Sequence, residues 1–220
     1  MPHLLIDLDG TLLPDNIFPL QRREMLRAIR AHLHPDPDGL LVNWTGKTDV
    51  GLFWQYANVA SPSSPTTVTL ALNAYTLAFL AALPVEIPCR LDAPTVLAAL
   101  RRDGYTVRCV TGNVRAVGVA KLCAAGLDRY LDLRDVTYGD HCRTREEVIR
   151  RAVLAAGERP VGLVGDTHRD VEAAHAFGLT AYALVTPAHP ITDLGPADVF
   201  LPTLAALPSA IKQQEALHAR

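Results

Sequence analysis

Residues 3–11, HLLIDLDGT, decide the fold. His3–Leu8 is a short apolar run that predicts a buried strand, and acidic residues, Asp7 and Asp9, stand at its end. Continuous apolar strands that alternate with helices are typical of a parallel sheet covered on both faces. Because ligands bind beyond the carboxyl ends of such strands, we expect both carboxylates to lie at a functional site.

The seventy or so residues after this strand have a helical pattern without strands. Three amphipathic or apolar stretches are separated by proline-rich breaks, which end helices. We therefore predict an all-α cap inserted at 15–87, with a core made of 1–14 and 88–220. The three predicted helices are Ile17–Leu33, Thr48–Ala60 and Thr66–Leu83, with breaks at Pro35, Pro37 and Ser61–Pro65 and a return linker at Pro84 and Pro88.

Beyond the return linker, short apolar runs alternate with helical stretches. The helix that begins at Thr144 opens with the capping box Thr144-Arg145-Glu146-Glu147. This alternation predicts an α/β fold with a Rossmann-like parallel sheet and helices on both faces. The predicted helices are Pro94–Arg102, Val114–Ala125 and Thr144–Ala156; the predicted strands are Thr106–Val110, Leu131–Val136, Val161–Gly165, Ala181–Val185 and Asp198–Leu201.

Composition excludes several classes of protein. The 220 residues are 49% hydrophobic, and 21 basic residues against 23 acidic ones give a formal net charge of −2. Such a chain can form a packed core, and it has no basic field for nucleic acids. The most apolar run, Val68–Leu83, is short for a membrane span and is expected to be a buried helix, so no membrane partner is expected. Four scattered cysteines without a C-x-x-C pair, and no signal peptide, favour a cytoplasmic protein.

Three groups of polar residues directly follow predicted strands. Asp7 and Asp9 follow the first, Thr111-Gly112-Asn113 follows another, and Gly165-Asp166 leads to Asp170. Two like charges about 4 Å apart cost about 4 kcal/mol at an effective dielectric near 20. Gathered carboxylates therefore need a cation or raised pKa values. Mg²⁺ suits carboxylate oxygens, and a metal among acids indicates an anionic substrate.

These motifs resemble those of the haloacid dehalogenase-like hydrolase superfamily. The resemblance rests on DLDGTL at 7–12, TGN at 111–113 and GDT-x-x-D at 165–170, in the right order along nearly the whole chain. It is greatest to the phosphatase branch that carries a helical cap between the first strand and the rest. TGKTD at 45–49 also resembles a segment of the phosphoglycolate phosphatase and phosphomutase relatives.

The resemblance implies a Mg²⁺-dependent phosphatase that acts on a small phosphorylated metabolite. Asp7 would attack phosphorus and form an aspartyl-phosphate, and Asp9 would act as general acid and base. Asp166 would hold Mg²⁺, with Asp170 doing so directly or through water, and Thr111 would cradle the phosphate. The implied phosphate-binding positions are Gly10, Thr111, Gly112 and Asn113, and the implied metal site is Asp7, Asp9 (through its main-chain carbonyl), Asp166 and Asp170.

The chain departs from the family at one basic residue. The family uses a residue that is usually Lys before Pro to balance the phosphate charge, and this sequence has no Lys-Pro. Arg143 fits if Thr144 replaces the proline, and Arg145 fits if 146–148 match the residues after the family's lysine. Arg145 is the favoured candidate. Since Arg is a planar two-pronged donor and Lys a point charge, the geometry of the site is expected to differ.

Asp9 separates reaction classes within the superfamily. Dehalogenases and phosphonate hydrolases lack an acid two residues after the nucleophile, and an alkoxide leaving group needs a proton that a halide does not. Asp9 therefore favours phosphate ester chemistry. A sugar phosphomutase and a non-catalytic module that binds phosphoesters remain as alternatives.

Weaker signals concern the predicted cap and the rim of the site. Trp44, Trp54 and Tyr56 are interpreted as packing residues. Lys47 and Asp49 either touch the substrate from above or belong to a surface loop. His168 lies in the acidic loop, and its position there indicates the rim of the pocket.

Overall fold

The fold is a parallel sheet with helices on both faces, as predicted. The computed structural model describes residues 2–40, 42–59, 63–157 and 160–218. Strands in this part of the chain are β1 (His3–Asp7), β2 (Thr106–Val110), β3 (Gly162–Gly165), β4 (Thr180–Leu184) and β5 (Val199–Leu201). Its α-helices are α1 (Phe18–His32), α2 (Asp49–Val59), α3 (Pro65–Ala82), α4 (Ala93–Arg102), α5 (Arg115–Ala124), α6 (Arg145–Ala156), α7 (His168–Ala176) and α8 (Leu207–His218).

The order and register of the strands bring distant polar residues to one edge. The sheet order is β2-β1-β3-β4-β5, with every pair parallel. Asp7 is paired with Val110 and Ile6 with Val164, so β2, β1 and β3 end side by side. The residues that follow each strand therefore meet at the same edge of the sheet.

Alternation along the strands divides the core into two layers. Leu4 and Ile6 belong to a hydrophobic cluster that includes residues of α4, α5 and α8. Leu5 points to the other face and packs with residues of α6 and α7. All three side chains are fully buried. Truncation of one to alanine costs about 2–5 kcal/mol in such cores, so the sheet gives the edge a rigid base.

Three helices, α1–α3, lie between β1 and α4, and α3 packs along α1 with further contacts to α2 and α5. α3 is long and apolar enough to cross a membrane. This is weak evidence for a membrane span, because core helices of soluble proteins can be equally long and apolar. Its buried side chains include Tyr75 and Phe79, whereas Leu70 and Leu77 are exposed. The prediction of a buried helix is therefore right for one face of α3 only.

Most element ends agree with the prediction to within one or two residues. The predicted strand Leu131–Val136 is wrong, because a turn forms there instead. The Asp132 carboxylate accepts hydrogen bonds from Arg134, and the Asp132 carbonyl accepts one from the N–H of Asp135. Next to the edge strand β2, an isolated bridge joins Val110 and Thr137 in place of the predicted strand. Helices α7 and α8 are not among the elements predicted from the sequence. The described residues do not include residue 60, the predicted end of α2, or residues 61–62 in the predicted break.

Candidate active site

The polar residues predicted to converge do so around one cavity at the carboxyl edge of the sheet. The cavity has a volume of ≈ 350 Å³ and lies between this edge and the helices that follow β1. Its polar lining includes Asp7, Asp9, Asp15, Gln21, Lys47, Asp49, Thr111, Gly112, Asn113, Arg145, Asp166, Thr167, Asp170 and His189.

Arg145 joins two of the buried acids. The capping box at Thr144 starts α6 so that Arg145, its first residue, projects into the cavity. Nη2 donates to Asp7 Oδ1 at 2.6 Å and lies 2.6 Å from Asp170 Oδ1, to which Nε donates at 2.8 Å. Burial opposes its charge, but Asp170 and then Asp7 raise the pKa of the guanidinium. Arg145 is therefore a fixed cation between two carboxylates.

Arg143, the other candidate, lies elsewhere. Its guanidinium carbon is 3.8 Å from the centroid of the Trp54 ring, and the residue is exposed. This stacked cation–π contact directs Arg143 towards α2. Of the two arginines, Arg145 alone lines the cavity.

Asp170 has both carboxylate oxygens occupied. Oδ1 receives Arg145, and Oδ2 receives the Thr167 N–H at 3.2 Å and the Thr167 hydroxyl at 2.6 Å. A Cβ on Gly165 would lie 2.2 Å from Asp170 Cγ, so this strand end must be glycine for the carboxylate to fit. Asp170 thus orients Arg145.

Asp166 is buried with weak partners. The Thr11 hydroxyl donates to Oδ1 at 3.3 Å, and His189 Nε2 is 4.0 Å from Oδ2. Gly10, at φ +81°, lies so close that a Cβ there would be 2.1 Å from Oδ2. Burial raises the pKa of Asp166 well above its usual range, and the charges of Asp7 and Asp170 raise it further.

The acids at this edge fit a divalent cation. Burial also raises the pKa of Asp7, which Arg145 opposes. Asp7, Asp166 and Asp170 are three buried carboxylates against one guanidinium, so a further positive charge would stabilise their ionised forms. Within the described ranges no three acidic, His or Cys side chains form a ready metal cage. Mg²⁺ does not require one, because it usually keeps several waters and one or two carboxylates.

The loop Thr111–Asn113 precedes α5 at the end of β2. The Thr111 hydroxyl oxygen accepts the Asn113 N–H at 3.2 Å and Asn113 Nδ2 at 2.9 Å. The Asn113 N–H, predicted to face phosphate, is therefore directed to Thr111 in this structure. The loop also touches the segment before α2, because the Asp49 N–H donates to the Gly112 carbonyl at 2.9 Å.

Asp9 has a cationic partner that was not predicted. Lys121 Nζ donates to Asp9 Oδ1 at 2.7 Å and to Gln21 Oε1 at 2.6 Å, and the Lys121 side chain is 0% exposed. Asn113 Nδ2 donates to Asp9 Oδ2 at 2.5 Å. Helical periodicity contains a signal for this residue, since Lys121 lies one turn after the buried Val117.

Arg90 is a second basic residue that the sequence did not single out. Its Nη2 and Nε donate to the Gly10 carbonyl at 2.5 and 3.2 Å, and its own N–H donates to Leu12 O at 2.9 Å. Arg90 therefore holds the loop that carries Asp9. His168, expected at the rim, is absent from the described lining, and His189 takes that place.

The wall opposite the sheet is more apolar. Phe18, Met25, Trp44 and Leu52 line it, and the rings of Phe18 and Trp44 pack edge-on with centroids 6.2 Å apart. Lys47 and Asp49 also line the cavity. Contact of either side chain with a substrate stays a prediction. Lys47 Nζ donates to Gln55 Oε1 at 2.8 Å.

Comparisons with known proteins identify the family of this chain. Residues 1–178 match the family described as haloacid dehalogenase-like hydrolase. The relative named "Phosphoglycolate phosphatase, plasmid" from Cupriavidus necator is 38% identical over 124 residues, 52% of this chain and 52% of that protein. The chain thus spans about half the length of that relative. "Probable phosphatase IndB" from Dickeya dadantii is 28% identical over 207 residues, 90% of this chain and 86% of that protein.

A solved structure has the same fold. A mutant of CbbY from Rhodobacter sphaeroides, in complex with xylulose-1,5-bisphosphate, superposes with a TM-score of 0.68. The alignment covers 94% of this chain and 96% of that one at 19% identity, so the likeness concerns the fold.

Proposed function

Because the chain belongs to the haloacid dehalogenase-like hydrolase family, we propose that it is a Mg²⁺-dependent phosphatase acting on a small phosphate monoester. The observation that carries the proposal is the hydrogen bond from Arg145 to Asp7, 2.6 Å long, inside a cavity that also holds Asp9, Asp166 and Thr111. The two curated relatives, both named phosphatases, support it.

The proposed reaction has two steps. An Asp7 oxygen attacks phosphorus, the bond from phosphorus to the ester oxygen breaks, and Asp9 gives its proton to the departing alkoxide. The Asp9 carboxylate then takes a proton from water, whose oxygen attacks the aspartyl-phosphate. Inorganic phosphate leaves and Asp7 is restored. Arg145 keeps Asp7 oriented in both steps.

Phosphate oxygens would be held by the loop after β2. Thr111 donates its hydroxyl proton, and Gly112 contributes a main-chain N–H at the start of α5, where the helix dipole favours an anion. Asn113 would turn its N–H from Thr111 to the phosphate, and Gly10 gives close access beside Asp166.

Asp7, Asp166 and the main-chain carbonyl of Asp9 would hold Mg²⁺, and Asp170 would reach it through water. When bound, the ion neutralises the charge of the phosphate and polarises its oxygens. The bonds that Asp170 makes to Arg145 and Thr167 favour this indirect contact.

Residues 15–87 are proposed as a cap over a core of 1–14 and 88–220. Closure of such an insert excludes water and reads the leaving group. A cavity of ≈ 350 Å³ suits a small phosphorylated metabolite, and the CbbY structure holds a sugar bisphosphate. The free thiols of Cys89, Cys109, Cys123 and Cys142 fit a reducing cytoplasm.

The test is phosphate release from a panel of phosphorylated metabolites, with Mg²⁺ and with a chelator. We expect release that requires Mg²⁺ and prefers a few esters. An isomerised sugar phosphate without free phosphate would favour a mutase. Saturable binding of phosphoesters without turnover by folded protein would favour a binding module and contradict the proposal.

A further inference from the structure

We propose that Lys121 is a positioning residue that holds Asp9 in the orientation needed to protonate the leaving group; this rests on the proposed function. Lys121 donates a hydrogen bond to the Asp9 carboxylate. It lies in α5, outside the strand ends and outside the motifs on which the family resemblance rests.

Asp9 needs such support because its side chain is partly exposed to the cavity. The Asp9 side chain is 33% exposed, whereas the Lys121 side chain is fully buried. Lys121 holds Oδ1 at 2.7 Å and Asn113 holds Oδ2 at 2.5 Å. These two bonds fix the plane of the carboxylate, which decides where its proton is delivered.

Lys121 is itself held in place. Gln21 on α1 accepts its second hydrogen bond at 2.6 Å, and its ammonium lies 5.6 Å from the centroid of the Phe79 ring on α3. The Gln21 amide cannot turn freely, because its Nε2 donates to Asp49 Oδ1 at 3.1 Å. Asp49 Oδ2 in turn accepts the Val114 N–H at 2.9 Å. Lys121 is thus connected to α1, to the first residue of α2 and to the start of its own helix.

A purely structural role accounts poorly for this lysine. Burial of an ammonium has a large desolvation cost, and well-packed apolar residues often replace buried ion pairs with no loss of stability. A leucine or methionine at this position of α5 would pack against Phe79 without that cost. An apolar side chain could not donate the hydrogen bond that holds the Asp9 carboxylate in position.

The role predicts a dependence on the leaving group. An alkoxide is a poor leaving group and needs the proton from Asp9, whereas para-nitrophenolate leaves readily without it. Loss of Lys121 should therefore lower kcat/KM strongly for an alkyl phosphate and weakly for para-nitrophenyl phosphate. kcat/KM is the right quantity because it covers binding and the first phosphoryl transfer, in which the leaving group departs.

The experiment compares wild type with Lys121→Met, which keeps the length and packing of the stem. The probes are para-nitrophenyl phosphate and phosphoglycolate, or the alkyl phosphate that the wild-type enzyme turns over fastest. We expect kcat/KM to fall about 30-fold or more for the alkyl ester and less than about 5-fold for the aryl ester. The larger factor is part of the rate enhancement that general acid catalysis supplies. Lys212→Met is the matched control, since Lys212 pairs with Asp103 on the surface. It should leave both values unchanged.

Lys121→Gln serves if the methionine variant does not fold. Its shorter amide cannot reach both Asp9 and Gln21, so the same selective loss is expected. An equal fall for both esters in folded protein, or no fall for either, would overturn the positioning role. Absence of phosphate release by wild type from every ester would instead overturn the proposed function, and the inference with it.

Discussion

The two sides of the cavity balance charge in different ways. The sheet-edge cluster (Asp7, Arg145, Asp166 and Asp170) has three buried carboxylates and one buried guanidinium, which pairs with Asp7 and Asp170. The helix network (Asp9, Gln21, Asp49, Asn113 and Lys121) has two carboxylates and one ammonium. Its four side-chain carboxylate oxygens each receive a hydrogen bond.

This difference assigns different work to the two sides. The sheet-edge cluster leaves Asp166 with one long hydrogen bond, 3.3 Å, and an excess of negative charge. Such a group is suited to bind a cation and, with it, a phosphate. The helix network is satisfied internally and is suited to keep one acid still.

Asp7→Asn should have the largest effect, because the amide is a poor nucleophile. We expect turnover to fall by about 10⁴-fold or more, measured as phosphate release under saturating Mg²⁺. Circular dichroism should be unchanged, since Asn can still accept a bond from Arg145. Near-normal phosphate release by this variant would remove Asp7 from the role of nucleophile.

Asp9→Asn should lower turnover of an alkyl phosphate by about 10²–10⁴-fold, the range of general acid–base catalysis. The sheet-edge cluster is untouched by this change, so vanadate should still inhibit the residual activity. Loss of vanadate inhibition together with activity would mean that Asp9 helps to form the phosphate site, and the contrast between the two sides would fail.

Mg²⁺ should stabilise the protein through the sheet-edge cluster. At about 100 times its Kd, a bound ligand adds about 2.7 kcal/mol to the free energy of unfolding, which raises Tm by several degrees in a chain of this size. Asp166→Asn should abolish most of this rise in a thermal melt, whereas Asp193→Asn, at an exposed site, should keep it. An undiminished rise in the Asp166 variant would place the ion elsewhere.

The smallest predicted effect concerns pH and the helix network. Burial raises the pKa of Asp49 from 3.8 to about 7, while the charge of Lys121 lowers it and that of Asp9 raises it. The folded chain then binds this proton more tightly than the unfolded chain, so this group makes stability fall as pH rises from about 4 to about 7.

Asp49→Asn has no such proton to lose. The free energy of unfolding of the variant minus that of wild type should therefore be higher at pH 7 than at pH 5, by about 1 kcal/mol or more in denaturant titrations. Parallel pH profiles for the two proteins would show that Asp49 is not held with a raised pKa.

The contrast also explains what could be predicted from the sequence. Asp7 ends an apolar strand, Asp166 and Thr111 directly follow one, and parallel strands bring such residues to one edge whatever lies between them. Arg145 was favoured over Arg143 from the pattern around it, and the capping box at Thr144 directs it inwards. The sheet-edge cluster could thus be predicted residue by residue.

The helix network could not be predicted in this way. Gln21 and Lys121 are one hundred residues apart and lie on helices, so their hydrogen bond depends on where the fold places α1 relative to α5. Arg90 could not be predicted either, because its hydrogen bond to the Gly10 carbonyl joins residues that are distant in sequence. The wrong strand at 131–136 has a local cause, because a short apolar run there is interrupted by Asp132 and Arg134, whose side chains form a turn.

Trapping the phosphorylated protein tests whether Asp7 is the nucleophile. Asp9→Asn should accept a phosphoryl group from para-nitrophenyl phosphate, whose leaving group needs no proton, but should release it slowly because the base that activates water is lost. Intact-mass spectrometry after an acid quench should then show a gain of one phosphoryl group, located by peptide mapping on Asp7. A phosphoryl group on any other residue, or unmodified protein during continuing turnover, would contradict the account.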